Sequence, residues 1–354
     1  MAAEMTSVHP TREAPLRLRV AALRAERPGI RARDAAAALG TSEGELVAAG
    51  CGDTAERLAG PWQDLIGALP SLGPVMALTR NEYAVHEKTG RYDNISFSGT
   101  RGLVLDPDID LRLFLDHWHH GFAVTEETRS GLRRSLQFFD ADGMAVHKIY
   151  LIADSDPQAY AALVGTHRND DQSAQLAVRP KAPATRAAAL PDAETLGKRW
   201  DALQDTHDFY PMLRELELDR IEAFRLVEGR YTERAATGSF RAALELAAAE
   251  RVPVMVFVGS PGVIQIHTGP VMTLKEVGPW FNVLDDGFNL HLRQDGIAGA
   301  WIVRKPTRDG IVTSLEIFDT EENQIAWLFG QRKPGTPERT DWRALVERLP
   351  RAGA

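Results

Sequence analysis

This chain predicts an α+β fold made twice, each copy a helical prelude followed by a large antiparallel β-sheet. Two observations carry that expectation. Residues 75–151 laid on 254–330 without a gap, an offset of 179, agree at 19 of 77 positions. The matches are glycines (Gly90/Gly269, Gly99/Gly278, Gly131/Gly310), turn aspartates (Asp106/Asp285) and strand-type apolar residues (Val75/Val254, Leu111/Leu290, Leu113/Leu292, Phe139/Phe318), which a repeated backbone needs. Within each block, short alternating segments such as EYAVHE, IDLRLFL and VTSLEIFD are punctuated by Gly, Asp and Pro, the pattern of an antiparallel meander.

Ahead of the first block, 16–27 and 31–48 are rich in Ala, Leu, Arg and Glu and predict helices, with Thr41 or Ser42 as the cap before Glu45. Ahead of the second, 194–210, 212–229 and 238–251 predict helices again. The stretch 167–193 between them is proline-bearing and aperiodic, so it is expected to link an N-terminal repeat, 1–166, to a C-terminal repeat, 194–354.

Net charge is −8, which argues against nonspecific nucleic-acid binding, an activity that needs clustered Lys and Arg. One cysteine, Cys51, builds neither a disulfide framework nor a thiolate zinc site. The N-terminal MAAEMTSVHPTREAP lacks a secretory pattern, and no run reaches the roughly 18 apolar residues of a membrane span, so no membrane insertion is expected and the cytoplasm is the expected address.

Where the copies differ, their chemistry differs: Arg112 stands against His291, Glu126 against Lys305, Tyr150 against Phe329. On a helix over 194–210, Leu196, Trp200, Leu203, His207 and Tyr210 fall at spacings of three or four, which puts the His207 imidazole on the apolar stripe. Two readings stay open there: a core histidine satisfied by a backbone carbonyl, or a functional imidazole at the edge of an apolar slot. Arg112 alternates with Leu111 and Leu113 and so faces away from them, as a solvated strand residue or as a cation for a buried anion. His117, His119 and His120 lack the carboxylate spacing of a metal site, and His291 is expected to be a satisfied sheet residue. His86 is expected to order a turn through Glu87 or the backbone, and GSPGVIQ to be a hairpin turn.

In order along the chain, RNEYAVHEKTGRY, DLRLFL, QFFD, RWDALQDTHDFYPMLRELELDRIEAF, VMVFVG, VIQIHTG, WIVRKPTRDGIVTSLEIFD and IAWLFGQR resemble the HemS/ChuS/HmuS family of bacterial cytoplasmic haem-utilisation proteins. The resemblance runs nearly end to end. It implies binding of haem b, with His207 as the axial iron ligand, Arg112 approaching from the opposite side, Arg220, Lys305 and Arg332 around the haem, and Phe257 as an apolar wall. It implies either a carrier that passes haem to an acceptor or an enzyme that opens the porphyrin and releases iron; no catalytic residue is assigned. The partners implied are a haem importer and a haem oxygenase or other haem acceptor. The chain departs from the family at IAWLFGQR, where the family pattern is closer to IAQLYGQR: Trp327 and Phe329 replace an amide and a phenol. That loss favours carriage over degradation.

Overall fold

The computed structural model describes residues 15–128, 131–179, 191–333 and 335–353. Its strands form two nine-stranded sheets. One runs Ala55–Leu58, His120–Thr128, Gly131–Phe139, Ala145–Leu151, Val75–Arg80, Ala84–Gly90, Phe288–Arg293, Trp280–Asp285, Leu274–Val277. The other runs Thr232–Ala235, Gly299–Thr307, Gly310–Phe318, Gln324–Gly330, Val254–Ser260, Val263–Gly269, Asp110–Phe114, Arg101–Leu105, Ile95–Ser98. Each order is the other shifted by one copy of the duplication.

The repetition is conformational as well as topological. Gly131 and Gly310 close equivalent hairpins at φ 108° and 105°, and Gly99 and Gly278 sit at 59° and 58°. An added Cβ would meet nothing within 4 Å at any of the four, so their left-handed backbone, not crowding, requires glycine. The irregularity between Phe138 and Phe139 recurs between Ile317 and Phe318.

The chain divides into two compact units that do not follow the repeat boundaries: 1–77, 95–102 and 113–181 form one, and 78–94, 103–112 and 182–354 the other. In the second unit a strand of the first copy pairs antiparallel with one of the second, Ala84 through Lys88 against Leu292 through Phe288. Of the expected linker, residues 168–176 are tied to the first unit: Gln172 exchanges two hydrogen bonds with the Arg57 backbone at 2.9 Å each, and Leu176 enters an apolar cluster with Phe122 and Phe139. Residues 180–190 lie outside those described.

Helices depart from the sequence expectation where a cap or a proline intervenes. The stretch 31–48 is two helices, Ala32–Leu39 and Glu43–Ala48, split by Gly40 at φ 63°; Ser42 caps the second in a capping box with Glu45. The expected helix 194–210 ends at Asp201, and a 3-10 turn, Thr206–Asp208, precedes a separate helix, Phe209–Glu215. A capping box between Asp205 and Asp208 starts the new turn in place of a continuing helix. In the observed arrangement Pro211 lies in a first turn, where its missing N–H costs nothing.

Candidate functional site

Every residue of the candidate site belongs to the second unit. Its floor is one face of the second sheet. Residues directly paired across strands share a face, and the pairings Trp301↔Glu316, Glu316↔Trp327, Trp327↔Phe257, Ser314↔Phe329 and Phe329↔Met255 run across it. The opposite face is core, where Val254, Val256, Leu315, Ile317 and Leu328 are buried with helix Ser239–Glu250.

Helices cover only part of this floor. Trp200, Phe209 and Phe224 pack with Trp301, Val303 and Phe318 in a closed apolar cluster, and the Trp200 indole N–H donates to the Arg304 carbonyl at 2.9 Å. Beyond it Met255, Phe257, Trp327 and Phe329 remain half-buried. Phe257 lies 5.1 Å from Phe329 and 6.4 Å from Trp327, centroid to centroid. The expected wall residue Phe257 is therefore one of three rings that form an aromatic shelf.

At the border between cover and shelf lies a buried charge network that sequence reasoning missed. Glu316 is fully buried and accepts five hydrogen bonds: Arg220 Nε at 2.7 Å and Nη2 at 3.1 Å, Lys305 Nζ at 3.1 Å, Ser314 Oγ at 2.8 Å and Gln324 Nε2 at 2.9 Å. Burial alone would raise its carboxyl, but the charges of Arg220 and then Lys305 pull it down to about 2. Lys305 is pushed down to about 8, by burial first and by Arg220, against the pull of Glu316. Both cations also lie over the Phe209 ring, Lys305 Nζ at 4.6 Å and Arg220 Cζ at 5.0 Å. The sequence signal was Glu316 itself, a carboxylate between Leu315 and Ile317 in the strand GIVTSLEIF, with a reversed charge, Glu126 to Lys305, nearby in the duplication.

The other expected residues are placed as follows. Arg112 does face away from the buried Leu111 and Leu113; its side chain is 28% exposed and paired with Asp110. Arg332 pairs with Asp309 at 3.2 Å, and its buried Nε has no partner among the described residues. His207 corrects the apolar-stripe expectation, because its side chain is 81% exposed. Asp205 accepts from the His207 backbone N–H at 2.9 Å while Asp208 accepts from that of Asp205, a cap that fixes the turn. The His207 Nδ1 lies 2.5 Å from Asp205 Oδ1. A proton on Nδ1 suits that contact and leaves Nε2 open to a ligand, the arrangement by which carboxylates orient metal-binding imidazoles. The turn is tied to the strand that carries Lys305 through Arg308 N–H to the Gln204 carbonyl, 3.0 Å.

Other histidines are structural in different ways. His291 meets Asn282 Oδ1 at 2.7 Å, as a sheet residue with a partner. His86 orders no turn: it is a fully buried strand residue whose ring nitrogens have no hydrogen-bond partner among the described residues, and burial holds its pKa well below the ordinary value. GSPGVIQ is the hairpin between Val254–Ser260 and Val263–Gly269. Among the described residues no three His, Cys, Asp or Glu side chains are grouped to hold a metal ion.

Two duplicated α+β sheets with an aromatic shelf, a cation network and an exposed, oriented imidazole define a class of protein, and comparison gives its family. The haemin-degrading HemS/ChuX domain matches twice, over 40–167 and 217–349, and this chain belongs to that family. It is 41% identical over 327 residues to the hemin transport protein HmuS of Yersinia pestis, covering 92% of this chain and 94% of the relative. The crystal structure of holo-PhuS, a heme-binding protein from Pseudomonas aeruginosa, superposes with a TM-score of 0.92 at 51% identity over 96% of this chain and 99% of that one. The heme-degrading enzyme ChuS of Escherichia coli O157:H7 gives 0.90 at 36% identity, over 95% and 99%. No helix among the described residues is long and apolar enough to cross a membrane.

Proposed function

We propose that this protein binds one haem b per chain in the cytoplasm, with His207 Nε2 on the iron, and passes it from a haem importer to an acceptor such as a haem oxygenase. The observation that carries the reading is the His207–Asp205 pair, an exposed imidazole whose Nδ1 is held by a carboxylate. The residues present fit the rest of a haem. The half-buried rings of Phe257, Trp327 and Phe329 suit a flat macrocycle, and Arg112, Arg220, Lys305 and Arg332 supply positive charge for two propionates. The names of the relatives support haem handling of both kinds, transport and degradation.

Carriage is favoured over degradation by the shelf itself. Bound haem would supply the redox chemistry of a degrading enzyme. Phe329 presents only carbon where a phenol would donate a hydrogen bond, and Trp327 offers a single indole N–H in place of an amide's donors and acceptor, so the polar groups available from those two positions are fewer. The test is a haem titration followed by a reductant with catalase present. One saturable haem per chain with a persistent Soret band is expected, together with ready transfer to a haem-accepting protein. Two equal sites surviving loss of His207 would overturn the single site; rapid bleaching with release of iron and an open tetrapyrrole would make the protein an enzyme.

A further inference from the structure

We propose, on the haem-binding reading above, that Glu316 sets the affinity of the site: it is an internal competitor that occupies Arg220 and Lys305, so that a ligand carboxylate gains them only by displacing it. An ionised carboxylate offers about four lone-pair positions, and Glu316 meets five donors from four side chains, so it is saturated. Lys305 is 3% exposed, and the contacts given for its ammonium are Glu316 and the face of Phe209. It is not a free surface cation. Arg220 is 23% exposed and has given two of its nitrogens to Glu316. Of these two positive charges one is thus cancelled internally, which leaves a single net charge to face a dianionic ligand.

The duplication shows that the sheet does not require this carboxylate. The equivalent of Glu316 is Gln137, also buried, whose amide donates to Ser135 Oγ at 3.0 Å, while the equivalent of Lys305 is Glu126. A neutral amide is therefore compatible with this strand position, and the charged cluster belongs to the copy that carries His207. Competition of this kind suits hand-over. Strong cations bared to the propionates would hold haem tightly, whereas a resident carboxylate that returns to them as the propionates leave makes release less costly.

The test compares haem with its dimethyl ester, which keeps the macrocycle and iron but has no propionate charge, on the full chain and on Glu316→Gln. The variant is expected to bind haem about tenfold more tightly, about 1.4 kcal/mol, and to release it correspondingly more slowly, with the ester unchanged within about threefold. Adding Lys305→Met should return part of the gain. Thermal unfolding checks the fold; should Glu316→Gln alone not fold, Glu316→Gln/Lys305→Met is compared with Lys305→Met, so that loss of the carboxylate is again the only difference and tighter haem binding is again expected. Unchanged or weaker haem binding by the variant, with normal binding by the parent, overturns the competitor role. Tightening that is equal for haem and ester overturns it too, because the effect would then not pass through carboxylates. Failure of the underlying reading is told apart as no saturable binding of either ligand by the parent, and that sinks the inference with it.

Discussion

Replacing His207 by alanine should separate ligation from packing. The side chain is 81% exposed and its ring meets Asp205, so the fold loses one surface contact. Such contacts contribute about 0.2–1 kcal/mol, and for a unit of this size each kcal/mol moves the melting temperature by roughly 2–4 °C. A fall of no more than about 4 °C is expected. On the apolar stripe beside Trp200 and Leu203 the same change would have cost several times more. Haem binding should respond oppositely. Loss of an orienting partner alone typically costs a metal site about 10–100-fold, and loss of the ligand itself should cost at least that much and shift the Soret band. The shelf and the cations should retain residual, spectrally distinct binding. The assay is a spectrophotometric titration beside thermal unfolding on the same preparation. An unchanged spectrum and affinity would falsify ligation by His207; Tyr210, 64% exposed, would then be the next candidate, ahead of the buried His267. A collapse in stability would refute the exposed placement instead.

Further outcomes follow from the same geometry. Arg112→Ala should weaken haem binding by about 1–3 kcal/mol in a titration, as expected when a charged hydrogen bond is lost. The isolated segment 190–354 lacks Ala84–Gly90, the strand that pairs with Phe288–Arg293, and should show neither full-strength binding in titration nor the cooperative unfolding of the full chain. Trp327→Gln with Phe329→Tyr should speed haem loss under reductant and catalase, measured as Soret decay. Because the Glu316 carboxyl titrates lower in the folded protein than its ordinary 4.5, its stabilisation is complete above about pH 4.5 and is lost as pH falls towards about 2. The urea-midpoint difference between the parent and Glu316→Gln should shift against the parent across that window, and a constant difference would rule out the ion-paired state of Glu316.

What could be read from the sequence was whatever a backbone demands locally. A left-handed turn needs glycine whichever copy it closes, so Gly99/Gly278 and Gly131/Gly310 survived divergence and exposed the duplication. Ser42 and Glu45 announce a helix start because both halves of their capping box lie within three residues. The stripe through His207 failed because apolar spacing was counted across Asp205, whose side chain caps a new turn with Asp208 and meets the His207 ring where a carbonyl freed by Pro211 was expected. Strand pairing between the copies could not be read, since alternation assigns faces but not partners: Ala84–Gly90 carries the same pattern whether it pairs within its own copy or with Phe288–Arg293.

Glu316 was hidden for a related reason. Its meaning depends on Arg220 and Lys305, 96 and 11 residues away along the chain, and only the folded sheet and its helical cover bring three charges to one point. The duplication nevertheless marked the place, since Gln137 became Glu316 and Glu126 stands against Lys305 while the glycines and core residues around them agree. A scaffold that repeats conserves what the backbone needs in both copies and is free to differ only where the backbone is indifferent. Function in a duplicated fold is therefore well sought at positions where the copies disagree in charge while their registers agree, and in this chain the positions that meet that criterion include Lys305 and Glu316 of the cation network and, at Arg112 against His291, the strand expected to face the haem from the other side.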